Sequence, residues 1–380
     1  MPHVPSRFPH NDIISLTTQP VCYDLAESIG PDLRLGGLLT DSDALQELVL
    51  SYGPTEGHAE LRELIAARHG VGADDVITTV GGMQALFLIA FVLGEPGAEA
   101  VIGRPAFPNA RNVLASVGLR VIDLMLHFDD GYRLDTGRLR SLLSARTRLV
   151  SLASPQNPSG VALSDAELRD VLAAMDEICP EAFLLIDETY REAVHGDAAP
   201  RPSLVGRDRR IISCASFSKC HGAPGIRTGW VITRDPALRA QLVLGKFNTT
   251  ISNSVVDEAI ALRILRELDT IMRDRRGHLA ACLARTAAFV ADNGKLIEWI
   301  RPEAGALCCV RLRREMFDEA AVARFHRELS VRETRVAPGS WFGDEARVFR
   351  LGFGVLALPE LDEALQRVAQ TLTSASMMTV

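Results

Sequence analysis

The sequence lacks the features that mark nucleic-acid-binding, secreted and membrane-spanning proteins. Its formal net charge is −7 over 380 residues, and no dense run of Lys and Arg occurs, so a nucleic-acid partner has no electrostatic support. The N-terminal segment has no apolar core typical of a secretory signal, and the most hydrophobic stretch, ALFLIAFVL, is too short to span a bilayer. We therefore expect a cytoplasmic protein that binds small molecules and neither nucleic acid nor membrane.

Cysteine pairing and several common catalytic motifs are also missing. The seven cysteines are odd in number and scattered, with no C-x-x-C pair or Cys/His ligand spacing. The sequence contains no GxxxxGK[ST], HExxH or GxSxG motif, and Gly81–Gly82 lacks the third glycine of a dinucleotide fingerprint. These absences predict reduced thiols and no metal site.

What is present, from about residue 75, is an alternation of strand-like and helix-like segments. β-rich runs such as DVITTV, EAVIGRP and RLVSLAS alternate with helical patterns such as GMQALFLIAFVLG. Ser164 and Glu167 form a capping-box pattern ahead of a helix at about 165–178. The alternation predicts an α/β domain with a mostly parallel sheet covered on both faces.

A second lobe is predicted after this domain. The stretch beyond Ser254 is nearly free of proline and long enough for one or two helices, and a smaller set of alternating elements follows from GALCCVRL to a helix at about 359–373. We interpret 46–269 as a large domain. A small domain would combine 1–45 with 270–380.

Polar and glycine-rich segments fall where five predicted strands end. They are Gly81-Gly82-Met83, Pro105-Ala106-Phe107, the SPQNP segment at 154–158, Asp187-Glu188-Thr189-Tyr190, and Ser216 to Lys219. Ligands of open parallel sheets bind outside the carboxyl ends of the strands. These segments therefore predict a single pocket.

The residue types in this pocket point to one ligand. Glycines before a helix leave bare N–H groups, which together with two serines and Arg227 favour a phosphate. Asp187 closes a strongly apolar strand, where a carboxylate needs a cation such as a pyridinium nitrogen. Lys219, partly desolvated and near Arg227, would have a lowered pKa and act as a nucleophilic amine. Together they predict pyridoxal phosphate, held by the lysine as a Schiff base.

Seven segments in order resemble the motif series of class I/II aminotransferases, the fold-type I pyridoxal phosphate enzymes. They are YGPTEGHAELRELIA, TVGGMQALFL, RPAFPNARN, SPQNPSG, DETYRE, SFSKCHGAPGIRTGW and FRLGFG, between about residues 52 and 354. The resemblance implies a fold like that of aspartate aminotransferase. It also implies an enzyme of amino acid metabolism that moves an amino group between an L-amino acid and a 2-oxo acid.

The resemblance further implies a role for each site residue. Lys219 would carry the cofactor and then shuttle protons, Asp187 would pair with the ring nitrogen, and Phe107 would stack on the ring. The remaining contacts implied are Asn157 and Tyr190 to the ring oxygen; the backbone of Gly82 and Met83, with Ser216, Ser218 and Arg227, to the phosphate; and Arg350 to the substrate α-carboxylate. In the matching motif Tyr52 reaches the phosphate in a neighbouring subunit, which implies a homodimer.

Departures from the family pattern concern the substrate more than the cofactor. Thr18 stands in the "TTQP" segment where the family often has a glycine near the substrate carboxylate, and Cys220 and His221 follow the lysine. Because the same cofactor stabilises any α-carbanion, a lyase or cyclase that eliminates at the β- or γ-carbon or closes a ring is the alternative. A non-catalytic regulatory module is a third hypothesis, disfavoured because no DNA-binding domain fits before Tyr52.

Overall fold

The computed structural model describes residues 7–38 and 43–376 as strands and helices that alternate along the chain. The described residues contain twelve strands: β1 Tyr23–Leu25, β2 Val76–Val80, β3 Glu99–Arg104, β4 Arg120–Met125, β5 Thr147–Ala153, β6 Phe183–Asp187, β7 Ile211–Ser216, β8 Thr228–Thr233, β9 Ile297–Ile300, β10 Leu307–Leu312, β11 Thr334–Pro338 and β12 Val348–Gly352. They also contain thirteen α-helices: α1 Ser15–Thr18, α2 Leu35–Leu38, α3 Asp43–Gln46, α4 Ala59–His69, α5 Gly81–Leu93, α6 Pro108–Ser116, α7 Thr136–Leu142, α8 Asp165–Ile178, α9 Pro236–Thr249, α10 Val255–Arg266, α11 Leu268–Asp292, α12 Glu319–Val331 and α13 Leu358–Ala375.

The larger sheet has seven strands in the order β2-β8-β7-β6-β5-β3-β4. Strand β8 runs antiparallel to β2 and β7, while the other neighbouring pairs are parallel. Two successive residues of β5 show that both faces of the sheet are covered. Leu149 packs with buried side chains of α5 and α9 on one face, and Val150 packs with buried side chains of α8 on the other. The predicted α/β class with a mostly parallel sheet is confirmed.

Helix α8 shows how local sequence sets an element boundary. The Ser164 hydroxyl accepts a hydrogen bond from the Glu167 N–H (3.2 Å), and the Glu167 carboxylate accepts one from the Ser164 N–H (2.8 Å). This capping box satisfies donors that the first turn would otherwise leave unpaired. The helix begins and ends at the residues that the sequence predicts, with Leu168, Val171 and Met175 buried against the sheet.

The smaller sheet has five strands in the order β1-β11-β12-β10-β9. Strand β1 pairs in parallel with β11, with Tyr23 opposite Thr334, so the N-terminal segment joins the C-terminal part of the chain. Helix α11 runs across the predicted boundary at 269/270, and the division into two domains stays a prediction.

None of the helices within residues 7–38 and 43–376 combines the length and the hydrophobicity needed to cross a bilayer.

Candidate active site

A cavity of about 640 Å³ lies at the carboxyl edge of the larger sheet. Its lining includes residues from each of the five segments that the sequence places at strand ends. The predicted site residues along it are Gly82, Met83, Phe107, Asn157, Asp187, Tyr190, Ser216, Ser218, Lys219, Arg227 and Arg350. The structure thus brings together in one pocket predicted residues as distant in the sequence as Gly82 and Arg350.

One corner of the cavity combines groups that can bind an anion. Helix α5 begins there, and its N-cap residue Val80 makes no side-chain capping bond, so the first N–H groups of the helix are available to a ligand. The Ser216 hydroxyl accepts from the Ser218 N–H (3.3 Å), and the Arg227 guanidinium lies 3.5 Å from the Ser218 hydroxyl. Hydroxyls, a guanidinium and bare N–H groups are the donors that bind phosphate.

Gly81 makes this corner possible. Its φ of +65° lies in the left-handed region, and a Cβ at this position would lie 2.4 Å from Nη2 of Arg227. We expect Gly81→Ala to displace Arg227 and to weaken cofactor binding by roughly tenfold, as expected for the loss of a hydrogen bond to a charged group, which is worth about 1.5–3 kcal/mol. An absorbance titration of the apoprotein with pyridoxal phosphate measures the effect.

The control for this substitution is Gly225→Ala. Gly225 lies between β7 and β8, two residues before Arg227, but a Cβ there would meet no atom within 4 Å. The affinity of the Gly225→Ala variant should equal that of the unaltered protein. Equal weakening in both variants would contradict the specific role of Gly81.

Asp187 ends β6 on the wall of the cavity. One carboxylate oxygen accepts from the Thr189 N–H (3.0 Å). Burial raises the pKa of this carboxyl above its usual value, and the neighbouring Glu188 adds to the effect. A cation beside Asp187 would offset the free-energy cost of burying the ionised carboxylate, since an opposite charge favours the ionised form.

Lys219 follows β7 and directs its amine into the same cavity. The amine donates to the Ser28 hydroxyl (3.3 Å) and lies 3.9 Å from a carboxylate oxygen of Glu27. Burial lowers the pKa of Lys219 to about 8, against the opposing effect of Glu27. About one amine in ten is therefore neutral at pH 7, far more than for an ordinary lysine.

Arg350 lies on β12 of the smaller sheet, where it is 2% exposed. Its guanidinium donates to the Asn157 side-chain oxygen (2.8 Å) and to the backbone oxygen of Ala26, and it lies 4.6 Å from the ring centroid of Phe342. Tyr190, also buried, shares a hydrogen bond of 2.8 Å with Ser28, and burial raises its pKa. These contacts tie the smaller sheet to the floor of the cavity.

Two predicted site residues lie away from the cavity lining. Thr18 ends helix α1, where its hydroxyl donates to the Ile14 backbone oxygen (3.1 Å); the adjacent Thr17 lines the cavity instead. Tyr52 is 81% exposed on the surface. A substrate contact for Thr18 and a contact across subunits for Tyr52 stay predictions.

Sequence reasoning missed Glu27 and Ser28, which line the cavity two and three residues after the end of β1. A signal was present in the sequence: the polar pair Glu27 and Ser28 follows a short strand that ends in an apolar residue, and it precedes Gly30-Pro31. This pattern of polar residues at a strand end is the one that identified the other five segments.

Comparison with known proteins identifies the family. The sequence profile described as aminotransferase class I and II matches residues 39–368. The chain belongs to this family. It is 30% identical over 343 residues to capreomycidine synthase of Streptomyces vinaceus, covering 86% of this chain and 82% of that protein. It is also 30% identical over 335 residues to an arginine–pyruvate transaminase of Pseudomonas aeruginosa, covering 84% and 81%.

Solved structures confirm the fold of this aminotransferase. A pyridoxal phosphate-dependent aminotransferase from Streptococcus suis superposes with a TM-score of 0.88 at 23% identity, covering 98% of this chain and 100% of that one. The pyridoxal phosphate-dependent cyclase OrfR superposes with a TM-score of 0.85 at 23% identity, covering 98% and 99%. Family and fold together confirm the expected fold-type I architecture, a transferase enzyme, and pyridoxal phosphate as cofactor.

The residues of the cavity fit this cofactor. The anion-binding corner beneath Gly81 suits a phosphate, the buried Asp187 suits a ring cation, and Lys219 supplies a partly neutral amine. Aminotransferase chemistry needs these three kinds of group within reach of one ligand.

Proposed function

We propose that Lys219 binds the aldehyde of pyridoxal phosphate through its amine, and that the enzyme uses this site to transfer the amino group of an L-amino acid to a 2-oxo acid. The observation that carries the proposal is the desolvated amine of Lys219, with a pKa of about 8, in a cavity that also holds a buried carboxyl and an anion-binding corner. Bound pyridoxal phosphate supplies an electron-poor ring that stabilises negative charge at the substrate α-carbon.

The residues of the large sheet would bind and orient the cofactor. Asp187 would keep a proton on the ring nitrogen, and Phe107 would cover a face of the ring. Asn157 and Tyr190 would hydrogen-bond the ring oxygen. The phosphate would be held by the backbone N–H groups of Gly82 and Met83 and by the side chains of Ser216, Ser218 and Arg227.

Two further residues would act on the substrate. Arg350 would bind the α-carboxylate by paired hydrogen bonds, since its guanidinium is buried beside Asn157 at the cavity. The Lys219 amine, once released from the cofactor, would stay within reach as the base that removes the α-proton and returns it. Its lowered pKa suits proton transfer near neutral pH.

A screen of amino acids against the purified holoenzyme tests this function. We expect the visible absorbance band of the bound cofactor to bleach with reactive donors, with one 2-oxo acid formed for each pyridoxamine phosphate. A second 2-oxo acid should restore the band. Absence of bleaching with every donor would contradict the proposal.

Cyclase or lyase chemistry is the second candidate, favoured by the similarity to capreomycidine synthase over 86% of the chain. The same screen separates the two functions. Release of ammonia, or a ring-closed product without stoichiometric pyridoxamine phosphate, would support this candidate against transamination.

A homodimer and a cytoplasmic location belong to the same proposal. Apolar side chains are exposed beside Tyr52 and along α9: Val49 (74%), Leu50 (78%), Leu244 (54%) and Phe247 (52%). Exposed apolar side chains of this kind support a surface that binds a second subunit.

All seven cysteines are unpaired, as expected in a reducing compartment. The two sheets support a large domain at 46–269 and a small one formed by 1–45 and 270–380.

Sedimentation measures the association. We expect twice the mass of one chain for the unaltered protein, and a shift toward the monomer for Leu244→Glu combined with Phe247→Glu, because two charges would then be buried at the interface. Val331, 85% exposed on α12, provides the control. The Val331→Glu variant should stay dimeric; a monomeric unaltered protein would contradict the proposal.

A further inference from the structure

One charged residue of the cavity has no role in the function proposed above. The Lys and Arg side chains that line it, among the described residues, are Lys219, Arg227 and Arg350, which take the aldehyde, the phosphate and the α-carboxylate. Of the two carboxylates in the lining, Asp187 takes the ring nitrogen. No group of the cofactor is assigned to Glu27, and neither is the α-amino or the α-carboxylate group that all amino acids share.

The fold holds Glu27 in place from both sides. Its backbone oxygen lies so close to Gly352 that a Cβ on that glycine would be 1.7 Å away. The preceding residue, Ala26, accepts a hydrogen bond from Arg350, and the following residue, Ser28, is hydrogen-bonded to Tyr190. The backbone that carries Glu27 is therefore anchored to two residues of the proposed site.

The Glu27 carboxylate has capacity for a ligand. Its nearest cation is the Lys219 amine at 3.9 Å, which is beyond hydrogen-bond distance. The side chain is 23% exposed and faces the cavity. A carboxylate accepts several hydrogen bonds and pairs best with a planar guanidinium.

We propose that Glu27 determines specificity by binding the guanidinium or ammonium group in the side chain of a basic amino donor. This inference rests on the proposed function, because it assumes that an amino acid occupies the cavity. It also explains what the site would reject: an acidic side chain would face Glu27, and the described lining offers it no Lys or Arg beyond the three already engaged.

Kinetics with matched donors test the proposal. For the unaltered enzyme we expect kcat/KM for L-arginine to exceed that for L-norleucine, and L-glutamate to be the poorest of the three. In Glu27→Gln the arginine-to-norleucine ratio should fall about ten- to a hundredfold, as expected for the loss of a charged hydrogen bond. Glu27→Asp, which keeps the charge, should retain part of the preference.

Asp32→Asn is the matched control, because Asp32 lies close enough to Lys219 to act on its charge but is outside the cavity lining. Its arginine-to-norleucine ratio should equal that of the unaltered enzyme. An unchanged ratio in Glu27→Gln, or an equal fall in Asp32→Asn, would overturn the assignment of Glu27.

Calorimetry provides a second readout that needs no turnover. The probes are 5-guanidinopentanoate and hexanoate, which share a carboxylate and differ in the cationic group. The holoenzyme should prefer 5-guanidinopentanoate, and Glu27→Gln should remove most of this preference; equal affinities in the unaltered protein would overturn the proposal. Failure of the proposed function would be recognised separately, by the absence of cofactor bleaching with every donor.

Discussion

Replacing Lys219 by alanine should lower kcat for amino transfer by a factor on the order of 10³ or more. The variant would lose the amine that we propose to bind the cofactor aldehyde and to act as the base for the α-proton. The phosphate contacts would remain, since Ser216, Ser218 and Arg227 are unaltered. The turnover of the preferred donor should be lost while the variant still binds the cofactor, which measurements of turnover and of cofactor content would show.

Chemical trapping of the lysine provides the control. Borohydride treatment of the unaltered holoenzyme, followed by peptide mapping, should give a cofactor adduct at residue 219. Lys246 is an internal comparison, because it is fully buried and burial lowers its pKa to about 8 as well, yet it lies outside the cavity lining. An adduct at 246 and none at 219 would contradict the assignment.

The rate of cofactor loading should also follow the titration of Lys219. The neutral amine would be the nucleophile, and burial shifts its pKa from 10.5 to about 8. Adduct formation by the apoprotein should therefore rise with pH up to about 8 and then level off. A continued rise toward pH 10 would show that the amine is not desolvated.

The large sheet could be predicted from sequence because its signals are local. Apolar runs and helical periodicity repeat over short windows, and the capping box at Ser164 defines the start of α8. Strand order was not predictable in the same way. The insertion of the antiparallel β8 between β2 and β7 joins residues about 150 positions apart, and no local pattern encodes that pairing.

The substrate side of the cavity was harder to predict for the same reason. Strand β1 has three residues, too few for a periodic pattern, and it is held by β11 more than 300 residues later. That pairing brings Glu27 and Ser28 into the cavity beside Lys219. The substrate contact predicted for Thr18 stays a prediction, and its neighbour Thr17 lines the pocket.

The proposed chemistry also depends on Asp187. Asp187→Asn should lower kcat by roughly 10²–10⁴-fold, because an amide cannot hold a proton on the ring nitrogen and each tenfold in rate corresponds to 1.36 kcal/mol. The side-chain oxygen that accepts from the Thr189 N–H is retained in asparagine. Thermal stability should therefore be preserved, which calorimetric melting measures alongside turnover.

Glu188, the residue next to Asp187, should contribute to stability and not to catalysis. It is 3% exposed, lies outside the cavity lining, and accepts hydrogen bonds from Ser203 (2.6 Å), the Leu204 N–H (2.8 Å) and Ser213 (2.7 Å). Glu188→Gln places an amide donor among these donors and should cost about 1–3 kcal/mol of folding free energy, while kcat is retained. Loss of rate in Glu188→Gln with full rate in Asp187→Asn would reverse the roles of the two carboxylates.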